Sequence, residues 1–271
     1  MKSFPLRLAL FLVLCVMLSW YSWLLGYAVG PDNSGLNPLG VLAAALLTSA
    51  ASGWHSLKAY LKRIVRVRSH WTTYATAVLL PLGIAVLTVA VLPAFGVAYS
   101  WAESRDHWTD LVDGFVIMFL FVALGEEPGW RGWLLPFFRE RFAPLAAALA
   151  VAPFWAAWHL PMWGRQLPYE QLAPFLLSLV AACIVLAWLT NRSRGGVLPA
   201  MICHASINAF GSAWLFNAVD AASKTKMWWV SAILWTLAGL AVAVLTKGRL
   251  GAMDGAECMT EPSDMLARRP T

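Results

Sequence analysis

Charge is scarce in this chain. Only 13% of its 271 residues are charged, against 60% hydrophobic residues and a mean hydropathy of +0.64. Soluble domains carry about 25% charged and about 45–50% apolar residues, so a water-soluble globule is excluded. Acidic residues are the rarer sign, 14 against 20 basic. Cysteine is thin as well: Cys15, Cys183 and Cys203 lie in apolar stretches and Cys258 in a polar tail. Their spacing fits neither a disulfide framework nor a zinc knuckle, and the plain reading is three buried small hydrophobes and one tail thiol. The H-E-x-x-H pair of zinc proteases is missing, and so are internal repeats and low-complexity segments.

Apolar runs are what the chain has instead. A bilayer-spanning helix needs roughly 17–25 apolar residues, and eight runs approach or reach that length, at about 5–26, 38–56, 72–98, 110–135, 144–162, 172–190, 196–218 and 227–246. The expected fold is therefore all-α: a polytopic membrane protein with a bundle of about eight transmembrane helices in one domain, 1–246, followed by a polar, disordered cytoplasmic tail, 247–271. The first run follows Lys2 and contains Arg7, but it exceeds the 7–15 apolar residues of a secretory signal and no small-x-small cleavage site closes it. With a cytoplasmic N-terminus, fifteen Lys and Arg fall in inner segments and four, Arg105, Arg165, Lys224 and Lys226, in outer ones. This asymmetry obeys the positive-inside rule, so both termini are expected in the cytoplasm. The net charge of +6 then reflects topology and calls for no nucleic-acid partner. Trp54, Trp71, Trp101, Trp163, Trp228 and Trp229 fall near helix ends, as an interfacial belt requires. The basic segment 56–70, SLKAYLKRIVRVRSH, reads either as an amphipathic helix on anionic headgroups or as a solvated loop.

Ionisable groups are costly at membrane depth and mark functional sites by default. Those well inside the runs are Glu126, Glu127, Arg131, His159 and His204, joined by the amide of Asn208; all six fall on the fourth, fifth and seventh runs. Glu126 and His159 are 33 residues apart. A hairpin turning at 142–143, just before the helix-starting Pro144, places each ~24 Å from the turn at 1.5 Å per residue. His204 lies ~13 Å into its own helix and reaches the same level if the turn carrying Arg139, Glu140 and Arg141 projects ~10 Å into the cytoplasm.

Local spacing suggests roles. Glu127 and Arg131 are i,i+4 and can pair on one helix face, whereas Glu126 points about 100° away without such a partner. Pro128 removes the amide that would bond the Leu124 carbonyl, so a kink or opening is expected there. His204 and Asn208 share a face, and Trp155, also i,i+4, can pack over or orient His159. A carboxylate level with a histidine suits activation of water, and a histidine with an amide suits a developing oxyanion. This describes hydrolysis of an acyl bond. The residues alone leave three alternatives: a polar clamp holding helices together, a zinc hydrolase with Glu126, His159 and His204 as ligands, and a non-catalytic scaffold or immunity-type protein binding a partner through the same pocket.

EEPGWR at 126–131, WAAWH ending at His159, and HASIN at 204–208 resemble the motif set of the CAAX prenyl protease and bacteriocin-processing (Abi) family of intramembrane glutamic endopeptidases. That family's pattern is E-E-x-x-x-R, F-x-x-x-H and H-x-x-x-N/D. The first and third match in full; in the second, Trp155 stands where Phe is usual, an aromatic packing position. The matched core covers about 110–215, and GEEPGWRGWLLP is similar to bacterial members, which implies a bacterial plasma membrane. The resemblance implies that Glu126 activates water with help from His159, that Glu127 and Arg131 support the motif, and that His204 and Asn208 form the oxyanion site. It implies no metal cofactor, and as substrate a membrane-associated protein or peptide cut near the cytoplasmic face, next to a prenylated cysteine in eukaryotes.

Overall fold

A computed structural model describes residues 3–26 and 35–252. The tail expected to be disordered from 247 begins as ordered chain, with Leu250 fully buried and its carbonyl accepting from the Asn191 side chain at 3.0 Å; the remainder, 253–271, lies outside the described residues. Among the described residues there is no β-strand, only an isolated bridge between Trp163 and Leu167. The chain is an all-α bundle: α1 Phe4–Leu24, α2 Leu39–Ala51, α3 Trp54–Val65, α4 Trp71–Val91, α5 Trp101–Asp106, α6 Trp108–Ile117, α7 Leu124–Gly129, α8 Leu135–Arg139, α9 Pro144–Trp158, α10 Leu172–Arg192, α11 Leu198–Asn208 and α12 Lys224–Leu245. Aliphatic side chains on the outside are widely exposed, among them Val13, Met17, Leu79, Leu237 and Val244, a surface that hydrocarbon, not water, tolerates.

Among the described residues, six helical stretches are long and apolar enough to cross a membrane: Phe4–Leu24, Trp71–Phe95, Trp108–Arg139, Pro144–Met162, Tyr169–Arg192 and Lys224–Leu245. The bundle of about eight apolar runs stands, and two of those runs fall outside the six stretches. The second run yields only the 13-residue α2, about 20 Å long. It ends where Gly53, at φ 104°, takes a left-handed conformation that a Cβ would resist. The seventh run is helical throughout 198–218, as α11, a π-helical stretch Ala209–Trp214 and a 3-10 turn Leu215–Ala218, but it carries His204, Ser206, Asn208 and Ser212 and is not among the six. Mean hydropathy registers the second run as apolar but does not register where its helix ends.

The short α2 is a structural wedge between α1 and α7. Its Gly40 lies so close to α1 that a Cβ would stand 2.5 Å from the Leu18 carbonyl carbon. On the other side, a Cβ on Gly125 would stand 2.5 Å from the Pro38 carbonyl carbon, and one on Gly129 would overlap Val41. Small residues four apart let membrane helices approach to backbone contact, and here they seat the EEPGWR helix.

The basic segment is helical over Trp54–Val65 and is anchored to the bundle. Arg63 donates to the Gly132 carbonyl at 3.2 Å, and burial together with neighbouring Arg66 holds its guanidinium below its ordinary pKa. Tyr60 is buried against Gly132, and burial pushes its phenol well above its ordinary value.

The turn between α8 and α9 falls where the proline placed it, with α9 starting at Pro144. Its expected projection beyond the bundle is not observed. Glu140 pairs with Arg7 of α1 at 2.6 Å, Phe4 stacks on Phe137 at 3.9 Å, and the Leu145 amide donates to the Gly248 carbonyl at 3.2 Å. These contacts make the turn level with the ends of α1 and α12, so Glu126 and His159 lie deeper from that end than the projection allowed.

Candidate active site

The carboxylates sit on one continuous helical stretch, Trp108–Arg139, that is not uniformly α. Pro128 lies inside α7, and π-helical stretches flank that helix at Met118–Ala123 and Trp130–Leu134. There the Leu124 and Leu135 amides bond back five residues, to Phe119 and Trp130. The opening expected from Pro128 therefore takes the form of two wide turns, a feature frequent at functional sites. Met118, Val122 and Glu126, four apart, end up on one cavity wall.

Glu127 and Arg131 pair as the spacing predicts, Nη1 to Oε1 at 3.1 Å, with both side chains at most 1% exposed. The same Oε1 accepts from His204 Nδ1 at 2.8 Å. Arg131 also reaches Cys183 Sγ at 3.5 Å, and its guanidinium lies over the Trp155 ring at 4.2 Å. One carboxylate thus ties α7 to α11, and one guanidinium ties it to α9 and α10. A buried charge pair held by several polar contacts costs far less than either charge alone.

Glu126 differs from the expectation that it lacks a local partner. Trp130, one turn on, donates its indole N–H to Oε2 at 3.2 Å, and Trp155 donates to the same oxygen at 2.7 Å. Among the described residues no hydrogen bond reaches Oε1, which leaves that oxygen for water. Trp155 does more than pack. It links Glu126 to His159, whose Nδ1 lies 2.7 Å from the Trp155 carbonyl. A carbonyl can only accept, so Nδ1 carries the proton and the neutral ring presents the lone pair of Nε2. No direct Glu126–His159 bond forms; the next helix supplies Glu126 with an indole first and the imidazole beside it. The i,i+4 spacing of Trp130 from Glu126 was available in the sequence as the signal for one donor. The Trp155 donor depends on how α9 is rotated, which spacing alone does not reveal.

Glu126, Trp155, His159, His204 and Asn208 share a cavity of about 520 Å³. Asn208 is half-buried and makes a 3.7 Å contact from Nδ2 to Met118 Sδ. Aromatic rings confine the histidines: Phe175 and Trp158 stand edge-on to His159 at 5.1 and 5.0 Å, and Trp155 stands 5.5 Å from His204. Trp228, Trp235 and Leu179 complete the apolar wall. Their helices, α10 and α12, were recognisable only by hydropathy. All six residues singled out from the sequence are brought together, but in two layers: Glu126, His159, His204 and Asn208 line the cavity, while Glu127 and Arg131 are packed behind it. Among the described residues, no group of three or more His, Cys, Asp or Glu side chains is arranged to hold a metal ion.

Residues 107–210 match the family described as type II CAAX prenyl endopeptidase Rce1-like. Over that stretch the chain resembles this family. All six site residues fall inside it, and the match supports protease activity on a membrane-associated peptide as the general class of function. No curated protein matches the chain.

Proposed function

We propose that the protein is an intramembrane endopeptidase that hydrolyses a peptide bond of a membrane-associated protein or peptide with a water activated by Glu126. The observation that carries this reading is the asymmetry of the Glu126 carboxylate, whose Oε2 is held by two indole donors while Oε1 remains for water beside His159. Water placed between Oε1 and His159 Nε2 gives one proton to the carboxylate as its oxygen bonds the scissile carbonyl carbon. The oxyanion that forms is met by the Nε2–H of an imidazolium at His204, whose Nδ1–H is engaged by Glu127, and by the amide of Asn208. The Glu126 proton then passes to the leaving nitrogen as the C–N bond breaks, which restores the carboxylate and yields an acid and an amine. Glu127 and Arg131 act through His204 and Trp155, as positioning residues.

The direct test compares the membrane proteomes of cells holding the native protein and Glu126→Gln. A peptide terminus present only with the native carboxylate is the expected result. An unchanged set of termini, with a phenotype that survives the substitution, would instead favour a scaffold or immunity-type role. The zinc alternative is separated by assaying a preparation shown by elemental analysis to be metal-free. Full cleavage is expected; activity restored only by added zinc would overturn the metal-independent mechanism.

A further inference from the structure

The helix ends of this bundle differ sharply in charge. At the end formed by the start of α1, α3, the α8–α9 turn, the end of α10 and the end of α12, the described residues carry twelve Lys and Arg and a single carboxylate, Glu140. Among the described residues the opposite end carries four basic residues, Arg105, Arg165, Lys224 and Lys226, and six acidic ones, Glu103, Asp106, Asp110, Asp113, Glu170 and Asp220. The cavity belongs to this second half. Its lining comes from the early turns of α10 and α12 (Phe175, Ser178, Trp228), from the late turns of α9 and α11 (His159, Asn208), and from Gln166 in the connection beyond α9. Towards the basic end, the space behind Glu126 is closed by packed side chains: Arg131, Tyr60, Leu134, Leu186 and Val197 are at most 1% exposed.

From this we infer, building on the endopeptidase reading above, that the site is entered from the face opposite the basic loops. The positive-inside rule makes that face extracytoplasmic. The substrate is then a peptide whose scissile segment is apolar and lies in the outer half of the bilayer or is presented from outside, such as the membrane-embedded part of an exported peptide. The resemblance and the depth reading of the sequence both pointed to the cytoplasmic face; the position of the cavity and the closed layer beneath it point the other way. The wall chemistry sets the class of segment. Apart from the catalytic groups, the cavity offers chiefly indole, phenyl and aliphatic surface, and a smaller cavity of about 60 Å³ beyond Asn208 shares Ser178, Ser212, Trp228 and Trp235 with it while adding Ala85 and Phe216. A charged residue next to the cut would be desolvated there without a partner.

Accessibility of single cysteines tests the sidedness without requiring catalysis, so its outcome is separable from that of the endopeptidase reading. Ser178→Cys, nearly isosteric and in the cavity wall, and Lys58→Cys, exposed on α3, are each placed in a full-length Cys258→Ser background. Both are treated with a charged, membrane-impermeant methanethiosulfonate in intact cells and in inverted vesicles. The expected pattern is modification of Ser178→Cys in intact cells at least tenfold faster than in inverted vesicles, and the reverse for Lys58→Cys. Modification of Ser178→Cys only in inverted vesicles, or from neither face, overturns the proposal, as does modification of Lys58→Cys in intact cells. Gln166→Cys at the mouth serves as a second reporter should Ser178→Cys accumulate poorly.

Discussion

Glu126 and Glu127 are adjacent in sequence and equally buried, yet they occupy opposite kinds of environment. Glu127 is closed in by charge and charge-assisted hydrogen bonds, with Arg131 on its own helix and His204 across the bundle. Glu126 is held on one oxygen by two neutral indole N–H groups and faces a cavity. Both carboxylates accept on one oxygen only, and Glu127 Oε2 is buried without a hydrogen-bond partner among the described residues; what separates the two is that the second oxygen of Glu127 is sealed in packed protein, whereas Glu126 lines a cavity.

The sharpest way to break this comparison is to remove the Glu126 carboxylate and, separately, the guanidinium that pairs with Glu127. Glu126→Gln should abolish cleavage, by roughly 10³-fold or more as expected for loss of a general base, while leaving the thermal midpoint in detergent unchanged within about a degree. Arg131→Met should do the opposite, lowering stability by about 3–5 kcal/mol because an uncompensated carboxylate is left buried. The double change Glu127→Gln with Arg131→Met should recover much of that loss in a double-mutant cycle. If Arg131→Met proves as stable as the native protein, the charged cluster is not what holds α7 to α11.

A smaller effect is expected behind the helix. Gly125→Val would drive a side chain into the Pro38 backbone, and overpacking of this kind costs about 1–3 kcal/mol, visible as a lowered thermal midpoint. Its partner readout is activity, which should fall with displacement of the helix, whereas Gly83→Ala, inside α4 where a Cβ meets nothing within 4 Å, should leave activity unchanged and hold or raise the thermal midpoint. The finest test concerns the shared indole. Trp155→Phe keeps an aromatic ring under Arg131 but deletes the N–H that Glu126 accepts, a hydrogen bond to a charged group worth about 1.5–3 kcal/mol. Cleavage should drop about tenfold or more with folding intact; unaltered kinetics would show that Trp155 only packs.

Most of the fold was legible because a bilayer imposes length and hydropathy on each span, and the six site residues were legible because ionisable groups at that depth are rare enough to be noticed. Helix i,i+4 geometry gave the Glu127–Arg131 pair directly. What failed has specific causes. Leu39–Ala51 reads as a span by composition, but Gly53 ends it early; the 196–218 run is helical over 198–218 but carries His204, Ser206, Asn208 and Ser212 and is not among the six apolar stretches. Glu126 was read as lacking a local partner because only charges were counted as partners, and Trp130 and Trp155 are neutral donors. In sequence the α8–α9 turn is free to project, whereas contacts with Arg7, Phe4 and Gly248 tie it to the ends of α1 and α12.

By itself the sequence determined that this is a helical membrane protein, which end of it is basic, and which six polar side chains lie at depth. Those follow from local chemistry: hydrophobic length, charge placement and the 3.6-residue turn. Tertiary structure alone decided that one carboxylate is sealed and its neighbour faces a cavity, and that the cavity lies in the half away from the basic ends. Those outcomes depend on helix rotation and on where glycine lets backbones touch, which are properties of packed pairs of helices and of no single segment.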